Sequence, residues 1–189
     1  MSAASDAVPA ADGIPPAAGP EDGVRTTATV IRPFVAADAR AVQQLVLGIQ
    51  RDEFGIPITL EEQPDLVDVP GYYRQGKGGF WVAVSPTGLV GTIGLLDIGH
   101  RHGALRKMFV APSHRGAAMG VGSALLQTCL QWAAVVGMSE IMLGTTEQLR
   151  AAHRFYEKWG FSEIPADALP PHFPRMRLDT KFYRYRLAE

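Results

Sequence analysis

The chain has 189 residues, 47% of them hydrophobic, with a formal net charge of -1, enough to bury one ordinary core but not two. Its single cysteine, Cys129, excludes an internal disulfide, and no window reaches the ~18 consecutive apolar residues of a membrane span. The near-neutral charge disfavours nucleic acid as a partner, so a soluble, cytoplasmic, single-domain protein with no membrane attachment is expected.

Residues 1–25 open with MSAASDAVPAADGIPPAAGPEDGV. The stretch lacks the basic start and apolar core of a signal peptide. Its Ala, Pro, Gly and acidic content predicts a disordered extension, with the folded domain at 26–189. "TATVIRPF" is β-branched and predicts a first strand; "DARAVQQLVLGI" then places Val42, Leu45, Val46 and Ile49 on one helical face, with Asp38 as N-cap. A second helix is expected within "ITLEEQPDLVDVPGYYRQG". "FWVAV" and "GLVGTIGLL" read as strands around the turn "SPTG", and "ALRKMFV" as a third, making an antiparallel meander. Val121, Leu125, Thr128, Cys129, Trp132 and Val136 then fall near helical spacing, with Gly137 placed to end that helix. "EIMLG" is a short buried strand. Thr145 and Gln148 have the spacing of a capping box ahead of a helix whose face holds Ala152, Phe155, Tyr156 and Trp159, and Gly160 stops it. Two last strands, "FSEIP" and "DTKFYRYRL", flank the loop "ADALPPHFPRMRL". The order is β-α-(α)-β-β-β-α-β-α-β-β, an α/β chain with no internal repeat.

The stretch "MFVAPSHRGAAMGVGSALL", Met108 to Leu126, carries the chemistry. A strand, a turn rich in backbone N–H groups and a helix N-terminus together form a socket for an anion. From Ile98 through Ser139 there is no Asp or Glu, while Arg101, Arg106, Lys107 and Arg115 lie inside that window. A positive field around the turn would suit a ligand with several phosphates. Taken alone, the glycines fit an ordinary connection with scattered surface cations equally well. A nucleotide P-loop is excluded because Gly122 is followed by Ser123 and Ala124 rather than by Lys and a hydroxyl residue. A dinucleotide fingerprint needs a parallel βαβ unit, whereas this turn is fed by a meander.

With "AAHRFYEKWGF" added, the chain resembles the GNAT superfamily of acyl-CoA-dependent N-acyltransferases from about Thr29 to Leu187. The resemblance implies a mixed, mostly antiparallel central sheet flanked by helices, with acetyl-CoA as co-substrate. It assigns the backbone of Met108, Phe109 and Val110 to the pantetheine arm, and Arg115, Gly116, Gly120, Val121, Gly122 and Ser123 to the pyrophosphate. The turn departs from the family pattern: counting from Arg115 puts Ala118 and Gly120 at the two small positions. Aligning the helix start puts Gly120 and Gly122 there, and keeps Leu125 on the buried face. Tyr156 matches the family tyrosine placed to protonate the departing thiolate, which suits a phenol of pKa ~10; its structural alternative is a core aromatic. Leu149 stands where the family often has Asn, and Ala104 where many relatives carry a general-base Glu.

A base is needed, because an alkylamine of pKa ~10.4 is protonated at neutral pH. Between Arg51 and Arg74 lie six carboxylates and no Lys or Arg. Such a run is commonly a solvated face, but in the family this segment borders the acceptor cleft, which makes Glu61 and Asp65 candidates for amine binding or deprotonation. Phe173 and Met176 either line an acceptor pocket or plug the core beneath the long loop. His100 and His102 lack the partners of a metal site, and no metal is expected. Cys129 reads as a buried, inert thiol. The reading is direct acetyl transfer to a primary amine of a small molecule or peptide. The alternative, motivated by Ala104 and Leu149, is a non-catalytic acyl-CoA-binding sensor of the same fold. A homodimer is left open.

Overall fold

The computed structural model describes residues 29–188; the expected extension at 1–25 lies outside them. Strand β1 (Val30–Pro33) leads through a tight turn into α1 (Ala39–Gly48), which runs on as a wider helical turn over Ile49–Glu53. The second helical segment is two short pieces, α2 (Pro64–Val67) and α3 (Val69–Tyr73), each with proline in its first turn, where the missing N–H costs nothing. The meander is β2 (Gly79–Ser85), β3 (Gly88–Asp97) and β4 (His102–Val110). Then come α4 (Val121–Val135), β5 (Glu140–Thr145), α5 (Arg150–Lys158), β6 (Ser162–Ile164) and β7 (Lys181–Arg186).

The strands form one sheet in the order β1-β2-β3-β4-β5-β7-β6. Every neighbouring pair is antiparallel except β4 with β5. This is the mixed, mostly antiparallel α/β sheet that was expected. Alternation along β2 divides the core: Trp81 and Ala83 pack with Leu125, Cys129 and Tyr156 under α4 and α5. Phe80 and Val82 pack with Val42, Val46, Leu66 and Tyr73 under α1–α3. On the latter face, the 165–180 loop covers Ala104, Met142 and Phe182 with Phe173.

Three local expectations change. Asp38 makes no cap to α1; Arg32 of β1 takes its carboxylate at 2.7 and 2.8 Å, and the Val35 N–H donates to it at 2.9 Å. Thr145 does not open α5, because pairing with Lys181 keeps it in β5, and the helix starts at Arg150 behind an uncapped Leu149. Trp132 is 40% exposed on the rim of α4, its indole N–H donating to Lys77 O at 2.9 Å.

Candidate active site

Strands β4 and β5 pair only over His102–Ala104 and Glu140–Met142. Beyond Ala104 each strand goes its own way, β4 held by β3 and β5 by β7. The fork opens a cleft of about 150 Å³ lined by Leu105–Phe109, Leu143–Thr146, Leu149, Tyr156 and residues of the long loop. Strand backbone on the open side of a fork has hydrogen-bonding groups to offer an extended ligand.

A bulge in β4 shapes one wall. The register to β3 slips between Thr92 and Gly94, and Lys107 sits at φ 51°, in the left-handed region. The extra residue breaks the alternation, so that Arg106 and Lys107, though adjacent, both turn toward the α1–α3 face. Thr92 Oγ donates to Lys107 O at 2.7 Å and pins the bulge. The Lys107 ammonium is buried, donating to Gln63 Oε1 at 2.6 Å and lying 3.3 Å from Asp65, which accepts from the Tyr73 hydroxyl at 2.6 Å. Gln50 and Gln63 exchange amide hydrogen bonds beside them. Burial pulls the ammonium below the ordinary lysine value, against the opposing pull of Asp65. Nothing in hydrophobic periodicity foretells this cluster, which joins residues more than 40 positions apart.

Three further groups face the cleft. Tyr156 is 7% exposed, and its hydroxyl has the Met108 thioether at 3.6 Å, a weak acceptor. Burial, and secondly Cys129, push its pKa well above the ordinary phenol value, so the proton stays on. Thr146, past the end of β5, has a buried Oγ with no hydrogen-bond partner among the described residues. Asp179 lies over β5: a Cβ on Gly144 would come within 2.2 Å of its Oδ2, so only glycine lets the carboxylate sit there. It accepts from the Met176 N–H at 2.9 Å. Burial holds it above the usual carboxylate range, although that hydrogen bond and Arg106, Arg175 and Lys107 pull the other way. Asp179 and Thr146 went unread in the sequence because loop closure alone brings them to the cleft.

The glycine turn ends in Gly120, which is the N-cap of α4 at φ 65°. Ala124 is the first amide to bond back to Gly120 O, so the Val121, Gly122 and Ser123 N–H groups precede the helical ladder. Leu125 is fully buried, and Gly116 has open space around it. The cations, however, do not converge here. Arg101 donates to Gly137 O at the far end of α4, while Arg106 and Lys107 face the other side of the sheet. Only Arg115 is beside the turn, with its Nε on Val110 O at 2.7 Å and its guanidinium paired with Glu53. The expected ring of positive charge is dispersed because β4 alternates faces and then slips.

The acidic run also disperses. Glu53 holds Arg115, Asp68 caps α3 through the Gly71 N–H, and Asp65 is sequestered with Lys107. Glu61 is exposed and does not line the cleft. Phe173 both lines the cleft and fills the core under the loop, and Met176 lines the cleft against the Arg106 guanidinium. Met108 and Phe109 line the cleft; Val110 packs toward α4. Ala104 is wholly buried beneath the loop. Cys129 is buried, its thiol pushed up to about 12. Among the described residues no group of three or more His, Cys, Asp or Glu side chains is arranged to hold a metal, and no helix is long and apolar enough to cross a membrane.

Residues 45–161 match the family model described as Acetyltransferase (GNAT) family. A crystal structure of an acetyltransferase of the GNAT family from Staphylococcus aureus Mu50 superposes with a TM-score of 0.82 at 33% identity, covering 85% of this chain and 100% of that one. The chain is 32% identical to N-acetylaspartate synthetase of Danio rerio over 126 residues, 65% of this chain and 44% of that protein. It is 33% identical to N-acetyltransferase 8 of Rattus norvegicus over 105 residues, 52% of this chain and 46% of that protein. The chain thus spans less than half the length of these curated relatives. An acyl-CoA fits the site on its own terms: the fork leaves strand backbone beside an orphaned buried hydroxyl, and the helix-start amides flank it. Matched over more than half of its length and folded as that match requires, the chain belongs to the acetyltransferase (GNAT) family.

Proposed function

We propose that the chain transfers the acetyl group of acetyl-CoA directly to a primary amine of a small molecule or peptide. The observation that carries this reading is Tyr156, a buried phenol that lines the cleft and whose hydroxyl has a thioether as its one hydrogen-bond partner among the described residues. Relatives named N-acetyltransferase and N-acetylaspartate synthetase support nitrogen as the acceptor atom.

In this reading the backbone of Met108, Phe109 and Val110 holds the pantetheine arm and Thr146 Oγ finds a partner on it. Arg115, Gly116, Gly120, Val121, Gly122 and Ser123 serve the pyrophosphate. The neutral amine attacks the thioester carbonyl, forming C–N as C–S breaks, while strand amides stabilise the oxyanion. Tyr156 delivers its proton to the sulfur. Asp179, a cleft-lining carboxylate without an ion pair within 4 Å among the described residues, takes the amine's proton, a duty that buried Ala104 cannot perform. Phe173 and Met176 bound the acceptor.

The test is an acceptor screen across amino acids, polyamines, aminoglycosides and peptide N-termini, read as release of the CoA thiol. Turnover on any amine supports the reading. Tight CoA binding with no turnover on any of them would leave the sensor reading in its place.

A further inference from the structure

The cleft holds two charged groups that close no ion pair of their own among the described residues. Lys107 is matched by Asp65 at 3.3 Å. Arg106 and Asp179 also line the cleft, yet neither has an ion-pair partner within 4 Å among the described residues. The side-chain partner that Arg106 has is the Met176 thioether. Sulfur of this kind is a weak acceptor, whereas a guanidinium carries five N–H donors in a planar fork that matches a carboxylate with two parallel bonds. A half-buried guanidinium lodged against a thioether therefore keeps most of its capacity unspent. Strand alternation accounts for its position, since Arg106 stands two residues beyond Ala104 and shares the face that the loop carrying Asp179 covers.

From this pairing of an unmatched cation with an unmatched carboxylate in one cleft, we infer that the acceptor is an amino carboxylate, its carboxylate received by Arg106 and its nitrogen directed toward Asp179. The inference rests on the acyl-transfer reading for which group reacts, but the recognition of the carboxylate stands apart from turnover. It also revises what the acidic run suggested. A polycation would meet Arg106 and the neutralised Lys107, not Glu61 or a free Asp65. Arg175, over the Phe182 ring at 4.9 Å, adds a further positive charge near the loop.

The experiment uses matched pairs: free amino acids, acidic and neutral, each against its own carboxamide. Each is titrated calorimetrically into the full chain saturated with CoA, and each is assayed for thiol release with acetyl-CoA. A charge-assisted hydrogen bond contributes about 1.5–3 kcal/mol, which reads as roughly a 10-fold to 150-fold preference for the carboxylate. Arg106→Gln should reduce that preference to a few-fold while leaving CoA affinity unchanged. Arg106→Lys should restore part of it, and a melt of each variant shows whether it has folded. Equal binding of carboxylate and carboxamide by the wild-type chain overturns the inference, as does a preference that survives in folded Arg106→Gln. Carboxylate-selective binding without thiol release sustains the inference and defeats the acyl-transfer reading. Turnover without selectivity does the reverse, and absence of both binding and turnover defeats the two together.

Discussion

Tyr156 is the residue at which mechanism and packing can be separated. Its ring lies among Phe155, Phe161 and Tyr183, and among the described residues its hydroxyl meets a thioether alone, so Tyr156→Phe removes a proton donor at little cost to the core. General acids contribute about 10²-fold to 10⁴-fold, and we expect kcat to fall in that range with CoA affinity and melting temperature near wild type. An unchanged kcat would make Tyr156 a core aromatic. The Lys107 cluster responds oppositely. Lys107→Met leaves Asp65 buried with only Tyr73 for company, and breaking a buried pair costs about 3–5 kcal/mol. Adding Asp65→Leu should recover much of that loss in denaturant melts. No recovery in the double variant would mean that the side-chain volumes, not the charges, matter.

At the level of elements, Arg32 and Asp38 tie the first strand to the first helix. The Arg32 hydrogen bond, assisted by the Val35 N–H, holds the Asp38 carboxyl below its ordinary value against the cost of burial. A depressed folded-state pKa supplies stability above the unfolded value, about 3.9, and that stability is lost as pH falls through the folded value. Asp38→Asn should therefore cost about 1 kcal/mol at pH 7, discounted for the part-exposed guanidinium. The gap should close progressively in melts below about pH 3.9; a gap constant with pH would assign the effect to packing. The glycine turn makes a second prediction. A Cβ at Gly122 meets Phe155 and Met108 at 3.7 and 3.8 Å, ordinary contacts, so Gly122→Val should fold. If the helix-start amides hold pyrophosphate, the variant should bind CoA more weakly in calorimetry, and wild-type affinity should fall with salt and exceed that for dephosphorylated pantetheine. Equal affinity for CoA and the fragment would remove the phosphate socket.

For the molecule as a whole, residues 1–24 offer only Met1, Val8, Ile14 and Val24 as large aliphatic side chains. Deleting them should leave the melting temperature and CoA affinity nearly unchanged, and a fall of several degrees would show that they contribute to the fold. Element order was legible because it is written in local patterns: β-branched runs for β1 and β2, the 3.6-residue stripe of Leu125 and Cys129, and Gly137 and Gly160 as stops. Where a local signal competed with a distant partner, the partner won. Asp38 had a capping position but went to Arg32, and Thr145 had a capping box but stayed in the sheet opposite Lys181. The sequence by itself determined the α/β order, the turn before α4 and the tyrosine on α5, since each depends on residues within a few positions of one another. Only the tertiary structure decided which charges meet. Lys107 with Asp65, Arg115 with Glu53, and Arg106 and Asp179 in one cleft each join segments more than 40 residues apart, and a one-residue slip in β4 chose the face on which Lys107 lies.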